Sequence, residues 1–231
     1  MNKPVRIALA AVIAATTLLS VAAQADESPF VVRLRALHIG PANKSDAIAV
    51  PSLAGEAPAL NLPADAIEVS SKWIPDIDLE YFFTPNWSAE LVLTIPQKHD
   101  VAVVIPNVGK ATIGSFKHLP PTLTAKYNFN PTGTVRPYVG VGVNLTLIMS
   151  VDITVPAALS PTGADLPLQL DNHSIGAAAQ AGVDIKLADH WFANIDAKYV
   201  QLKTDVKAGT LKVSTAKVDP WLLGAGVAYR F

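Results

Sequence analysis

Charged side chains recur at every second position in segments of this chain that are otherwise apolar. Arg33 and Arg35 occupy one phase of the first such segment, and Val32, Leu34 and Ala36 occupy the other. A period of two puts the phases on opposite faces of a β-strand, so the pattern predicts strands with one ionic face. Seven basic and six acidic residues follow it: Arg33, Arg35, Lys126, Arg136, Lys186, Lys198 and Arg230, with Asp76, Asp78, Glu80, Glu90, Asp184 and Asp196. Because the two signs nearly balance, the chemistry that they predict is ion pairing.

The residue types that usually carry catalysis or bind metals are scattered. The five histidines are His38, His99, His118, His173 and His190, without the H-E-x-x-H spacing or another ligand spacing. His118 and His190 are expected at strand ends, in interfacial or structural roles. His173 and Ser174 are adjacent, so a strand would point them to opposite faces, which is wrong for a catalytic dyad. With no G-x-S-x-G motif and no cysteine, the sequence predicts no enzyme, no metal site and no cofactor.

Eight segments of alternating polarity are the elements that would position the charges. They run over residues 29–40, 70–83, 87–97, 119–129, 135–149, 173–187, 190–204 and 217–231. Three connections are short and rich in Pro, Asn, Gly and Asp, whereas the four near 41–69, 98–118, 150–172 and 205–216 are long. This alternation is typical of outer-membrane barrels, which have short periplasmic turns and long external loops. A soluble up-and-down barrel could share the strand count, but it would carry its apolar phase inside.

The last thirteen residues point to a strand with an apolar outer face. Counting back by twos, the apolar phase is Phe231, Tyr229, Val227, Ala225, Leu223 and Trp221. Its aromatic ends suit the two interfaces of a membrane, and an aromatic C-terminus is typical of the last strand of an outer-membrane barrel. The final strand of a soluble sandwich is the alternative interpretation. In the membrane case, we expect this strand to be recognised by the barrel-assembly machinery.

The N-terminal residues predict export. Lys3 and Arg6 precede an apolar stretch from Ile7 to about Ala23, and residues 23–25 fit the small-x-small pattern of a cleavage site. We therefore predict a signal peptide over residues 1–25 and a mature protein that begins at Asp26. A permanent anchor is the alternative, although the stretch barely reaches the roughly 17–25 apolar residues that a spanning helix needs.

Taken together, these patterns predict an all-β protein, an eight-stranded antiparallel transmembrane β-barrel of the bacterial outer membrane. Residues 26–231 would form the barrel, with four long extracellular loops and both termini in the periplasm. The lumen of an eight-stranded barrel is only wide enough for side chains, so the balanced charges predict a lumen partly plugged by ion pairs. The net charge of −1, without a basic stretch, argues against a nucleic-acid partner.

Several blocks of sequence resemble one known family, the OmpW family, in the family's order across nearly the whole mature chain. The blocks are residues 90–96, 117–123, 136–144, 180–184, 219–221 and 229–231. The resemblance implies a small outer-membrane barrel through which small hydrophobic molecules cross the lipopolysaccharide layer, and one branch of the family is associated with alkane uptake. Outer-membrane lipid, lipopolysaccharide and small hydrophobic substrates are the partners that it implies. The rival hypothesis is a structural or surface-receptor barrel with a sealed, ion-paired lumen.

The resemblance also implies a route that leaves the barrel sideways into the membrane. Pro96 matches the family position linked to the side opening, and Pro120 and Pro121 begin the facing strand. A proline lacks the N–H needed for a ladder bond, although Pro96 could equally just end the third strand. The family's pocket floor of leucine and tryptophan falls at Val92 and Lys198, so a cation replaces the aromatic. We expect Lys198 to pair with Asp196 or with an acid of the second strand.

Two further features leave alternatives open. The apolar residues 48–54, 60–63, 101–105 and 155–159 of the long connections could form a hydrophobic funnel or a structural cap, and we favour a funnel that does both. Gly140, Gly142, Gly176 and Gly182 could relieve crowding in the lumen or allow strand curvature, and curvature is the interpretation that we favour.

Overall fold

A computed structural model of the chain describes residues 28–50, 60–105, 109–157, 160 and 163–231. The predicted signal peptide and residues 51–54 and 158–159 of the predicted funnel lie outside the described residues. In the described part of the chain, no helix is long and apolar enough to cross a membrane.

The described residues form seventeen strands. In chain order they are β1 (Phe30–Gly40), β2 (Lys44–Ser45), β3 (Ile48–Val50), β4 (Leu60–Leu62), β5 (Ile67–Val69), β6 (Lys72–Phe82), β7 (Trp87–Leu93), β8 (Gln97–Ile105), β9 (Gly109–Leu119), β10 (Thr122–Asn128), β11 (Val135–Val155), β12 (Leu166–Leu170), β13 (His173–Lys186), β14 (Trp191–Val200), β15 (Lys203–Ala208), β16 (Leu211–Lys217) and β17 (Trp221–Arg230).

Eight of these strands close into an antiparallel barrel, in the order β1, β6, β7, β10, β11, β13, β14 and β17. The ring closes because β17 pairs with β1, from Val31–Arg230 to Gly40–Trp221. Closure leaves the barrel without a free edge strand, which a sheet within a membrane requires. The fold prediction of an eight-stranded antiparallel barrel is therefore confirmed.

The two ends of the barrel differ. The end that carries the three short connections and both described termini is called the turn end, and the opposite end is called the loop end. At the loop end, strands β2, β5, β8, β9, β12, β15 and β16 continue the wall beyond the barrel together with the long β11. This second tier is called the loop-end extension. The segments predicted as long loops thus contain strands of their own. Strand β11 reaches Val155 rather than 149, because after a β-bulge between Met149 and Asp152 it continues to pair with β9 and then with β12.

The barrel carries apolar side chains on its outer face and charged side chains inside, which is the reverse of a soluble protein. Large apolar side chains on the outer face are exposed, with Val141 69% and Leu123 57% accessible, whereas Arg33, Glu90 and Lys126 inside are at most 1% accessible. The hydrophobic effect would not leave such an outer wall in water, so the wall must face lipid. This result excludes the soluble barrel and the soluble sandwich.

Aromatic residues lie at both ends of the apolar outer wall. At the turn end they contact one another from strand to strand, as in the Trp87–Tyr127 and Trp191–Tyr229 pairs, whose ring centroids are 5.0 Å apart. At the loop end, Tyr199 lies against Trp221 with a centroid distance of 5.4 Å. Two such girdles are the expected arrangement at the two membrane–water interfaces.

Candidate functional site: the lumen and the wall gap

Ion pairs cross the lumen from wall to wall in the half of the barrel nearer the turn end. Arg33 of β1 pairs with Glu80 of β6, and its Nη2 lies 2.6 Å from Asp184 Oδ2 of β13. The Arg33 Nη1 atom is also 3.6 Å from Glu90 Oε2 of β7. One guanidinium therefore connects three separate strands, as the fork of five donors allows.

Arg35 repeats this arrangement one step nearer the loop end. It pairs with Asp78, and its Nη2 is 2.7 Å from Asp76 Oδ2, while its Nη1 is 3.5 Å from Asp196 Oδ1. The hydroxyl of Tyr138 donates to Asp196 Oδ2 at 2.9 Å, which satisfies a further lone pair in the water-poor interior.

Glu90 is the acidic centre on the opposite wall. Its Oε2 is 2.9 Å from Lys126 Nζ, and its Oε1 is 3.1 Å from Lys198 Nζ and accepts a hydrogen bond from Gln180 at 3.2 Å. Both expected partners of Lys198, Asp196 and an acid of the second strand, were wrong. Asp196 pairs with Arg35, and the acids of β6 pair with Arg33, Arg35 and Lys126. Lys198 instead reaches across the lumen to β7.

These residues are called the lumen ion cluster: Arg33, Arg35, Asp76, Asp78, Glu80, Glu90, Lys126, Asp184, Asp196 and Lys198. Each is at most 6% exposed. A packed, fully charged layer of this kind leaves no straight aqueous path between the two ends of the barrel.

Three other predicted members lie outside the lumen ion cluster, at the turn end. Arg136 donates to Gly133 O at 2.9 Å and lies over the ring of Phe192, 4.6 Å from its centroid. Arg230 donates to Ser28 O at 2.9 Å. Lys186 is 3.7 Å from Asp189 in an exposed turn. The prediction placed them in the network because they share its phase, but their strand positions lie too close to the turn end. Arg136 and Arg230 line a hollow there, which ends at Arg33 and Asp184.

A glycine makes room for Tyr138, whose buried ring lies beside the lumen ion cluster. A Cβ atom at Gly182 would lie 2.4 Å from Tyr138 Oη and 2.7 Å from the backbone oxygen of Ile195. At Gly142 the obstacle is instead the neighbouring backbone, with Leu123 O at 2.2 Å. Crowding in the lumen therefore explains Gly182, whereas a close approach between strands explains Gly142.

We expect Gly182→Val to destabilise the barrel by about 1–3 kcal/mol, the usual cost of overpacking a filled interior. The added side chain displaces Tyr138 and breaks its hydrogen bond to Asp196. Urea unfolding in lipid vesicles, followed by tryptophan fluorescence, measures the loss. Ala179→Val, on the outward face of the same strand, is the control and should change stability little; equal losses in both variants would contradict the explanation.

The barrel wall is interrupted where β7 and β10 approach the loop end. Their ladder ends at Val92–Thr122, and pairing resumes only at Gln97–His118 of β8 and β9. On the other side of β7, pairing with β6 ends at Ile77–Leu93. Within the described chain, residues 94–96 thus have no ladder partner on either side. These residues and the facing residues 119–121 are called the wall gap.

An extra residue accompanies the interruption. Even-numbered side chains, such as Val92, face inward in β7, whereas the odd-numbered Gln97 and His99 face inward in β8. A one-residue shift of this kind is a β-bulge, and it disrupts the ladder locally. The third strand therefore ends at Leu93 rather than at residue 97 as predicted.

Four prolines meet at the wall gap. Pro96, Pro120 and Pro121 lie in it, and none has an N–H with which to rebuild the ladder. Pro75 of β6 borders it as well, because extending the Ile77–Leu93 register by two residues places Pro75 opposite residue 95. The sequence marked Pro75 only as unusual inside a strand. Its role could not be predicted without the register.

The β10 edge of the wall gap is held from inside. Asn144 Nδ2 donates to the carbonyl oxygens of Pro120 and Pro121, each at 3.3 Å, and to Thr122 Oγ1 at 2.8 Å. Leu145 N also donates to Pro121 O at 3.0 Å. Because β11 satisfies these carbonyl groups, the facing strand keeps its position without bonds across the gap. Asn144 was not predicted as a functional residue.

Two different interiors meet at the height of the wall gap. Toward the turn end lies the lumen ion cluster, and Val92, which is buried and inward-facing, is the next inward residue after Glu90. Toward the loop end, the interior of the extension is apolar and contains Leu62, Ile67, Val69, Val101, Val103, Ile113, Phe116, Ile148, Ile153, Leu202, Val206 and Val218. Val101 and Val103 belong to the predicted funnel.

A stack of rings lies between the wall gap and this apolar interior. His99 and His118 have ring centroids 4.9 Å apart with an interplanar angle of 10°, and Phe116 lies 5.7 Å from His118. Both histidines lie beyond the eight barrel strands. Burial and the neighbouring His99 lower the pKa of His118 to about 3, and burial also lowers the pKa of His99. Both rings are therefore neutral at pH 7. The sequence separated them by a predicted loop, so no local signal indicated the contact.

Metal binding is not indicated in the described part of the chain, where no three His, Cys, Asp or Glu side chains are grouped as ligands. The two stacked imidazoles are not oriented to ligate one metal ion together, because lone pairs in parallel ring planes do not converge.

A closed barrel with an apolar outer wall, two aromatic girdles and a charged lumen defines an integral outer-membrane barrel protein. The chain belongs to the OmpW family, whose model matches residues 26–231.

Relatives and a solved structure agree with this assignment. The chain is 37% identical to the uncharacterized outer-membrane protein y4mB of Sinorhizobium fredii, over 88% of this chain and 80% of the relative. It is 33% identical to outer membrane protein W of Vibrio cholerae, over 89% of each chain. The crystal structure of the outer membrane protein OprG from Pseudomonas aeruginosa superposes with a TM-score of 0.67 at 22% identity, covering 89% of this chain and 97% of OprG, and thus shares the fold.

Proposed function

We propose that this barrel is a passive channel through which small hydrophobic molecules enter from the loop end and leave sideways through the wall gap into the membrane. The observation that carries the proposal is the position of the gap between an apolar interior and a charged plug. Along β7 and β8 the order is Glu90, Val92, the gap, His99 and Val101.

The energetics favour the sideways route. A hydrophobic solute that reached the lumen ion cluster would have to separate buried ion pairs, which costs several kcal/mol per uncompensated charge. The same solute gains about 0.8 kcal/mol per methylene group when it passes from water into lipid. Exit through a wall without ladder bonds avoids both the plug and a second aqueous step. Val92 and Lys198 would form the floor of the passage, with Lys198 closing it through Glu90.

The proposal includes an orientation. With the loop end outside the cell and both termini in the periplasm, the apolar interior of the extension receives the solute first. Outer-membrane barrels usually place their short turns in the periplasm, and this arrangement also presents the C-terminal strand, which ends at Phe231, to the barrel-assembly machinery.

We expect Pro96→Ala to lower the initial rate of octane uptake several-fold in Gram-negative cells that express the protein. Alanine supplies an N–H that can begin to rebuild the ladder across the gap. The rate is measured with radiolabelled octane and normalised to folded barrel, identified by its altered mobility on an unheated gel. Pro137→Ala is the matched control, because Pro137 lies in β11 where the ladder to β13 is intact.

The alternative function, a structural or surface-receptor barrel, predicts a different result in the same experiment. A structural or surface-receptor barrel would raise octane uptake no further than cells without the protein, and Pro96→Ala would change nothing. That result, with folded barrel present in the membrane, would reject the channel.

A further inference from the structure

We propose that His99 forms a hydrogen-bonding site in the passage. This site favours small hydrophobic molecules that carry one hydrogen-bond donor, such as alcohols and phenols, over pure hydrocarbons. This inference rests on the proposed channel and defines its substrate class. It starts from a buried nitrogen atom that has no hydrogen-bond partner among the described residues. The site lies on the loop-end side of the wall gap, two residues beyond Gln97 at the start of β8.

A backbone contact determines the tautomer of His99. Its Nδ1 atom lies 2.7 Å from the carbonyl oxygen of Ser70, and a carbonyl oxygen can only accept a hydrogen bond. The Nδ1 atom therefore carries the proton. Since the buried ring is neutral, Nε2 is unprotonated and presents a lone pair.

This lone pair is buried without a hydrogen bond. His99 is 1% exposed, and Nε2 has no partner among the described residues. A buried acceptor in this state costs about 1–3 kcal/mol, and a donor on a passing molecule would relieve that cost. A hydrocarbon cannot relieve it, and neither can a molecule that carries only an acceptor.

The surroundings suit a molecule that is otherwise apolar. His118 and Phe116 complete the ring stack, and Val101 belongs to the hydrophobic cluster that fills the extension. Two other buried atoms near the gap, His118 Nδ1 and Thr94 Oγ1, also have no partner in the described chain. Polar atoms without a described partner thus lie on a ring stack that contacts apolar residues, and sites that fix the orientation of small ligands combine polar and apolar groups in this way.

The experiment compares three probes of similar size: naphthalene, 1-naphthol as a donor, and 1-methoxynaphthalene as an acceptor only. Their initial uptake rates are measured in cells that express the wild type or a variant. In the wild type, we expect 1-naphthol to be favoured over both other probes. His99→Phe should lower the naphthol-to-naphthalene ratio about fivefold, as the loss of one hydrogen bond predicts.

Two variants act as controls. His99→Gln keeps an acceptor oxygen and should retain much of the preference. His173→Phe changes an exposed histidine at the start of β13 and should leave the ratio unchanged. If the naphthol-to-naphthalene ratio stays constant in His99→Phe while the cells still take up both compounds, the hydrogen-bonding site is rejected and the proposed channel is not. If cells that express the wild type take up neither compound, both the channel and the hydrogen-bonding site are rejected.

A second measurement does not depend on folding of the variants. In refolded wild-type protein labelled with ¹⁵N at histidine, adding 1-naphthol should shift the unprotonated nitrogen of His99, whereas naphthalene should not. Equal shifts with the two probes would contradict the donor requirement.

Discussion

Glu90→Gln lowers the free energy of unfolding of the barrel by about 3–5 kcal/mol, the usual cost of removing one partner from a buried ion pair. Glu90 faces Lys126 and Lys198 at 2.9 and 3.1 Å, and Arg33 lies 3.6 Å away. Lys126 and Arg33 keep other acidic partners. Among the described residues, Glu90 is the only acid within ion-pair distance of Lys198, so the substitution removes the direct partner of a buried cation.

Urea unfolding in lipid vesicles measures the effect, and two variants make it specific. Glu68→Gln removes a pair that is shorter still, 2.5 Å from Lys110, but this pair is exposed and should contribute no more than about 1 kcal/mol. Glu90→Gln combined with Lys198→Met removes both charges and should recover much of the loss. Similar losses in the two single variants would show that the lumen ion cluster is hydrated rather than buried.

A disulfide across the wall gap abolishes uptake of hydrophobic solutes, and reduction restores the part of the uptake that remains when Pro121→Cys supplies an N–H at the gap. Leu93→Cys with Pro121→Cys places two thiols one pair beyond Val92–Thr122, in continuation of that register. The chain contains no cysteine of its own, so these thiols can pair only with each other. In a continued ladder, their Cα atoms would be about 4.5–5.5 Å apart, within disulfide range.

The matched control places the bridge in the intact wall. Leu91→Cys with Leu123→Cys joins a pair that the ladder already holds together, so octane uptake should be the same before and after reduction. Gel mobility with and without reductant verifies each bridge. Undiminished uptake through the oxidised gap variant would show that the solute does not leave between β7 and β10.

The architecture could be predicted from the sequence because the alternation of charged and apolar residues is a local pattern along each strand. Alternation in Arg33–Arg35 and Asp76–Glu80, together with short turns and an aromatic C-terminus, identifies transmembrane strands without knowledge of their partners. The long connections were harder to predict. Some of their strands form hairpins within one connection, as β8 does with β9 and β15 does with β16, whereas others join two different connections, as β12 does with β15. A single sequence does not show the pairings between connections.

For the site, the sequence alone determined which face of each strand carries the charges, since a period of two is a local property of a strand. It also marked Pro96, Pro120 and Pro121 by their missing N–H groups. Only the tertiary structure decided how these residues meet. Register and barrel closure assign Lys198 to Glu90 and leave Arg136 at the turn end. They also bring Pro75 to the wall gap and stack His99 on His118. The physical reason is that each of these contacts joins residues on different strands, so its existence depends on pairing across the sheet rather than on any pattern along the chain.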